Sequence, residues 1–213
     1  MQAEEVIQGS QEWKLARCGS LGASRVADAV AKIKSGWGAS RANLMAELVS
    51  ERLTGVPYES YASPAMQRGT EKEPDARVAY CFRTDNDVTE VGLVRHPEIV
   101  GTHASPDGLV GSDGLLEIKC PQSATHIETL LGKPIDGRYI TQCQWQMACT
   151  GRAWVDFCSF DDRLPEEMRV FVQRVTRDQE AIDYLEKEVK AFIYELDVKV
   201  DNLKRLYGQK AAA

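Results

Sequence analysis

In the first part of the chain, apolar positions recur at the spacing of a helix that buries one face. Ser10 stands before Glu12, Trp13 and Leu15 and is a candidate cap for a short helix. Ser24 stands the same way before Val26, Val30 and Ile33. Ser40 opens a third helix, SRANLMAELVSERLTG, with Leu44, Leu48 and Leu53 as anchors and Gly55 as its stop. A fourth covers roughly Ala65 to Phe82, where Pro74 predicts a kink or a break. Then the period changes. Val88, Val91, Leu93, Ile99 and Val100 sit in short runs ended by Gly101, Pro106 and Gly108, the pattern of strands and turns. LLEIK is a third strand, AWVDFCSF a fourth and MRVFVQRV a fifth. Between the third and fourth, RYITQCQWQMACTG reads as a helix with Gly151 after its end. From Arg177 to Tyr207, the residues Ile182, Leu185, Val189, Phe192, Leu196, Val200 and Leu203 keep helical spacing and predict a long amphipathic C-terminal helix. The expected fold class is α/β (α+β): helices flanking a central mixed β-sheet, in a single domain over residues 1–213.

Composition narrows this only a little. With 43% hydrophobic residues in 213, the chain can bury a core without a disulfide or metal staple. A net charge of -6 favours solubility and does not advertise nucleic-acid binding, although a basic lining can work inside an acidic shell. The cysteines, Cys18, Cys81, Cys120, Cys143, Cys149 and Cys158, include no CxxC pair. They form no zinc spacing with the scattered His96, His103 and His126. Buried reduced thiols are expected, in keeping with a reducing cytoplasm. The N-terminus has no basic-then-apolar pattern, and no run approaches the length of a membrane span. Ala211 to Ala213 are expected to fray.

The candidate chemistry lies in SPDGLVGSDGLLEIKCP, Ser105 to Pro121. Strand alternation sends Glu117 and Lys119 to one face and Leu116 and Ile118 to the other. The Gly-rich loop after Asp107 can turn the chain back and lay Asp107 beside Glu117. Two adjacent carboxylates raise one pKa unless a cation sits between them. Mg²⁺ suits them, completed by the main-chain carbonyl of Ile118 and by substrate phosphate oxygens. The Lys119 ammonium then lies where it can orient an attacking water. These groups suit phosphodiester hydrolysis. Taken alone, Glu117 and Lys119 fit a solvated edge-strand pair at least as well, and PDG is a common turn.

The segments EWKLARCGSLGAS, MQRGTEKEPDAR, SPDGLVGSDGLLEIKCP and YITQCQWQMACTG, in that order, resemble a known family. They look like the PD-(D/E)xK nuclease core, and most closely like the phage recombination exonucleases of the lambda exonuclease, or YqaJ-like, type. The resemblance implies a restriction-endonuclease-like core. It also implies a 5′-to-3′ exonuclease that digests one strand of linear double-stranded DNA and leaves 3′ overhangs for recombination by strand annealing. It implies Mg²⁺, with Mn²⁺ as a substitute, a homotrimeric ring, a single-strand annealing protein as partner, and the cytoplasm of a bacterial host cell.

Residue by residue, the resemblance puts Asp107 and Glu117 on the metal-binding carboxylates and Lys119 on the catalytic lysine. It puts Glu73 on an acid supplied from a helix. Glu71 competes with it, and a surface carboxylate in a charged run is the plainer reading. Gln142 and Gln144 match a glutamine pair. Residues two apart on a helix do not share a face, so only Gln142 is assigned to the site. Arg17, Ser24 and Ser105 match positions that hold a 5′-terminal phosphate. Arginine forks to phosphate oxygens, and Ser24 at a helix start adds backbone donors. Tyr139 and Trp145 read as core. In AKIKSGWGASR, the residues Lys32, Lys34, Trp37 and Arg41 can grip DNA, but an ordinary solvated loop is the preferred reading. Two other functions remain open: another PD-(D/E)xK nuclease, restriction-like or repair, and a non-catalytic DNA-end-binding protein of the same fold.

Overall fold

Cap chemistry sets several boundaries. Ser10 accepts from Trp13 N and opens α1 (Gln11–Arg17), as its sequence position predicts. Gly55 takes φ 69° and closes a long helix, and Gly151 does the same at φ 73° for another. The computed structural model describes residues 3–33, 36–59 and 63–208. Lys34 and Ala211 to Ala213 lie outside the described residues. The chain begins with β1 (Ala3–Glu4), α1, β2 (Leu21–Gly22), α2 (Val26–Ala29), β3 (Lys32–Ile33), β4 (Gly36–Trp37), α3 (Ala39–Thr54) and α4 (Pro64–Thr84). The middle holds β5 (Val88–Thr89), β6 (Leu93–Arg95), β7 (Thr102–Ala104), β8 (Gly108–Val110) and β9 (Gly114–Lys119). Then come α5 (Ser123–Leu130), α6 (Gly137–Thr150), β10 (Trp154–Phe160), β11 (Val170–Thr176) and α7 (Gln179–Tyr207).

The strands form two mixed sheets and a small ribbon, β3-β4, rather than one sheet. The larger has the order β11-β10-β9-β8-β5, with β9 and β10 parallel and every other pair antiparallel. The smaller has the order β1-β6-β7-β2. β9 sits in the middle of the larger sheet with both faces covered. Leu115 joins Val155, Phe157, Cys143 and Met147 on the α6 side. Leu116 and Ile118 join Ala76, Tyr80, Cys158 and Phe160 on the α4 side. α7 closes the first core with Ile182, Leu185, Val189, Phe192, Leu196 and Val200, each worth about 1.5–3 kcal/mol when fully buried.

Several expectations are corrected. Ser24 caps nothing: it lies inside a 3₁₀ turn, Ala23–Arg25, whose cap position is Gly22. The helix that follows ends at Ala29, and Ile33 belongs to β3. Ser40 lies inside α3, whose cap position is Gly38, and Leu53 is exposed. α4 runs unbroken through Pro74. Ser63 accepts from Met66 N at its start, and Ala76 and Tyr80 anchor it in the core, which together offset the hydrogen bond proline cannot make. Val91, Ile99 and Val100 lie in no strand, and Val100 and Leu203 are exposed. All six cysteines are free, but only Cys143, Cys149 and Cys158 are buried.

One buried polar knot ties α4 to the sheet. Asp156, 3% exposed, accepts from the Tyr80 hydroxyl at 2.8 Å and from Arg174 Nε and Nη2 at 2.8 and 2.9 Å. Tyr80→Phe removes a hydrogen bond to a charged acceptor and should cost about 2 kcal/mol in urea unfolding. An unchanged midpoint would show that this contact contributes nothing.

Candidate active site

The β8-β9 hairpin builds the centre of the site. Gly108 pairs with Leu116, and Asp107 N donates to Leu116 O at 3.1 Å. That register sets Asp107 opposite Glu117, as the loop length implied. Asp107 Oδ2 accepts from Ile118 N at 2.6 Å. Glu117 is 1% exposed, so a solvated edge-strand pair is excluded. A buried carboxylate needs donors, and three reach it. Lys119 Nζ lies 2.5 Å from Oε1, Gln142 Nε2 lies 2.6 Å from Oε1, and Gln146 Nε2 lies 2.5 Å from Oε2.

Burial, then the negative charges of Glu117 and Glu73, push Asp107 well above the usual carboxylate range. A hydrogen bond shared with Glu73 adds to this, and Lys119 opposes it. Burial lowers Lys119, but Glu117 and Asp107 outweigh it and hold the ammonium above its ordinary value. These two acids therefore favour the charged ammonium at Lys119. It lies 5.1 Å from the centre of the Tyr139 ring, which itself packs against Phe157. Glu73 reaches the same cavity from α4, and Glu71 does not line it.

Among the described residues, no three His, Cys, Asp or Glu side chains converge to hold a metal by themselves. The donors that fit an ion here are all oxygens: the Asp107 and Glu117 carboxylates and the Ile118 carbonyl. Such a set suits a hard cation that keeps water or phosphate in its remaining positions. A cation would also relieve the repulsion that raises Asp107.

The cavity measures about 670 Å³ and gathers Arg17, Ser24, Glu73, Ser105, Asp107, Glu117, Ile118, Lys119 and Gln142. The nine residues that the sequence assigns to the site thus line one cavity. Gln144 does not. It bridges Thr176 O and Asp178 N and ties α6 to the start of α7. Trp145 is fully buried, donating to Thr102 Oγ1 and stacking on His96. Arg41 is a core cation rather than a DNA grip. It is 6% exposed, bonds Ala29 O at 3.0 Å and pairs with Glu195 at 2.8 Å. Lys32 pairs with Glu188 at 3.2 Å, and Trp37 is 45% exposed, stacked near Lys32 and Arg41.

In the same cavity, the Arg17 guanidinium lies 3.8 Å from the centre of the Trp13 ring. Trp13 Nε1 donates to Ser105 Oγ at 3.1 Å, which leaves the Ser105 O–H to donate elsewhere. Burial lowers Arg17 from its ordinary value, with Glu51 opposing, yet a guanidinium stays charged at neutral pH. His103 lines the cavity too.

Sequence reading missed Trp13, His103 and Gln146 as parts of the site. Gln146 alone had a legible signal: it lies four residues after Gln142, on the same helix face.

Residues 12–153 match the YqaJ-like viral recombinase domain. No curated protein matches the chain. An alkaline exonuclease from Laribacter hongkongensis is similar at 54% identity, with a TM-score of 0.86, over 92% of this chain and 97% of that one. The structure of that enzyme in complex with dAMP is similar at 55% identity and a TM-score of 0.85, over the same shares. A phage related exonuclease from Haemophilus somnus 129PT shares the fold at 16% identity and a TM-score of 0.69, over 86% of this chain and 96% of that one. A match over residues 12–153, with a relative this similar over almost its whole length, decides the assignment. The chain belongs to the YqaJ-like viral recombinase domain family, as a deoxyribonuclease of the phage exonuclease type.

Proposed function

We propose that the protein digests one strand of linear double-stranded DNA from its 5′ end, with Mg²⁺ as cofactor and Mn²⁺ as a substitute, and leaves a 3′ single-stranded overhang. The observation that carries this reading is one cavity with two chemistries: the Asp107, Glu117 and Lys119 cluster, and the Arg17 and Ser105 donors. The first suits hydrolysis of a phosphodiester and the second suits a terminal phosphate. The similar enzyme's complex with dAMP supports it, since a deoxynucleoside monophosphate is the product of exonucleolytic cleavage.

Asp107, Glu117 and the Ile118 carbonyl would hold the Mg²⁺. When bound, the ion supplies Lewis-acid polarisation of the scissile phosphate and lowers the pKa of water. The chain's own residues do the rest. Gln142 and Gln146 fix the Glu117 carboxylate through both oxygens. Lys119 supplies a fixed ammonium that orients the attacking water and offsets charge building on the phosphoryl oxygens. Glu73, hydrogen-bonded with Asp107, orders that carboxylate and water beside it. Arg17, Ser105 and Ser24 hold the 5′-phosphate, which sets the register of the cut.

On this reading the active form is a homotrimeric ring around DNA, which accommodates the net charge of -6. The ring hands its 3′ overhang to a single-strand annealing protein in the bacterial cytoplasm. Among the described residues no helix is long and apolar enough to cross a membrane.

Linear duplex labelled at the 5′ or the 3′ end, incubated with and without Mg²⁺, tests polarity and cofactor together. Mononucleotide should leave only the 5′-labelled strand end, and only with metal. A covalently closed circle should stay intact. Cleavage of the circle would instead identify an endonuclease on the same core.

A further inference from the structure

We propose that His103 is a positioning residue for Arg17: its Nε2 accepts the Arg17 Nε–H and so aims the remaining guanidinium donors at the 5′-phosphate. The proposal rests on the reading of Arg17 as the phosphate contact. Arg17 Nε lies 3.1 Å from His103 Nε2, and Ser20 Oγ lies 2.8 Å from His103 Nδ1. An arginine Nε–H only donates, so Nε2 must carry the lone pair and Nδ1 the proton. Ser20 Oγ therefore accepts from Nδ1–H, and it also takes Arg95 Nη1 at 3.4 Å. His103 is 1% exposed on β7, a strand paired on both sides, so its ring cannot swing away.

The arrangement serves charge as well as direction. Burial, reinforced by the positive charges of Arg17 and Arg95, pushes the imidazole down to about 3. It is neutral at any working pH. A carboxylate in its place would also accept from Nε, but it would cancel the charge that attracts a phosphate. A neutral acceptor fixes the fork and leaves its charge whole.

Two more contacts complete the setting. Trp13 covers one face of the guanidinium. A Cβ at Gly22 would lie 3.1 Å from His103 Nε2 and 3.4 Å from Arg17 Nη2, so the backbone presses directly on the junction. Nη1 and Nη2 make no hydrogen bond to the protein among the described residues, and Arg17 lines the cavity that Ser105 shares.

Two amide substitutions separate the two hydrogen bonds of the ring. Glutamine places its amide near the position of Nε2, and asparagine near that of Nδ1. The measurement is the ratio of cleavage rates on duplexes with 5′-phosphoryl and 5′-hydroxyl ends, taken for wild type, His103→Gln, His103→Asn and Arg17→Ala, with thermal melts as a folding check. Arg17→Ala should lose the preference. His103→Asn should lower the ratio about tenfold, chiefly through KM for the phosphorylated end, and His103→Gln should keep most of it. Equal ratios in the two amides overturn the proposal. If Arg17→Ala itself keeps the ratio, the phosphate reading of Arg17 fails instead. Gly22→Ala crowds both Nε2 and Arg17 Nη2, so it tests the His103–Arg17 junction as a whole. Its ratio should fall as well, and an unchanged ratio counts against the proposal.

Discussion

Lys119→Ala should lower turnover on linear duplex about a thousandfold while the protein still binds DNA ends. The expectation follows from where the ammonium sits. It lies 2.5 Å from Glu117 Oε1, with the side chain 28% exposed at the wall of the cavity. The neighbouring acids favour its charged form, so on the proposed reading it contributes a hydrogen-bond donor and a local positive charge. Alanine removes both contributions where negative charge builds on the phosphoryl oxygens. Glu117 keeps two amide donors and stays in place. On the proposed reading Arg17 and Ser105 carry end binding, so an electrophoretic shift with a 5′-phosphorylated duplex should survive. Lys119→Arg should not rescue turnover, because a planar fork cannot occupy the volume of a compact ammonium. Turnover within about tenfold of wild type would remove Lys119 from the chemistry.

The clustering of the candidate centre was legible because it is local. Asp107, Glu117 and Lys119 lie on one hairpin, where alternation and loop length fix the register without knowledge of the rest of the fold. The residues that turn this hairpin into a site come from elsewhere in the chain. His103 meets Arg17 from a strand only three residues long, too short to show a period. β1 and β2 are shorter still, which is why the second sheet was not anticipated. Ser24 misled because a serine before an apolar residue reads the same whether it caps a helix or sits within a 3₁₀ turn. Arg41 misled for the opposite reason. Its sequence neighbours are those of a basic loop, but its partners, Ala29 and Glu195, bring it into the core. Pro74 carried a local penalty that the packing of α4 overrides.

Gln146→Leu should weaken Mg²⁺ binding and lower turnover about 10–100-fold, whereas Gln144→Leu should lower stability and leave Mg²⁺ affinity alone. The two glutamines are neighbours on α6 with similar burial, 0% and 4% exposed, so residue type and exposure do not distinguish them. Their partners do. Gln144 binds a backbone carbonyl and a backbone amide near the start of α7. Gln146 gives its amide to Glu117 Oε2, while Gln142, one turn earlier, gives its own to Oε1. The terminal torsion of a glutamate is broad, so donors on one oxygen alone leave the carboxylate plane free to turn. Donors on both oxygens fix it. Gln146 Oε1 has no protein partner among the described residues, so the donor end is the part of this side chain that the fold uses. Leucine has nearly the same volume and keeps the packing, but it leaves Oε2 buried without its donor. Calorimetric titration of each variant with Mg²⁺ in the absence of DNA reads the effect apart from catalysis, and urea melts read stability. Equal Mg²⁺ affinity in Gln146→Leu and wild type would mean that Gln142 and Lys119 alone orient Glu117, and the paired-amide account of the site would then be wrong.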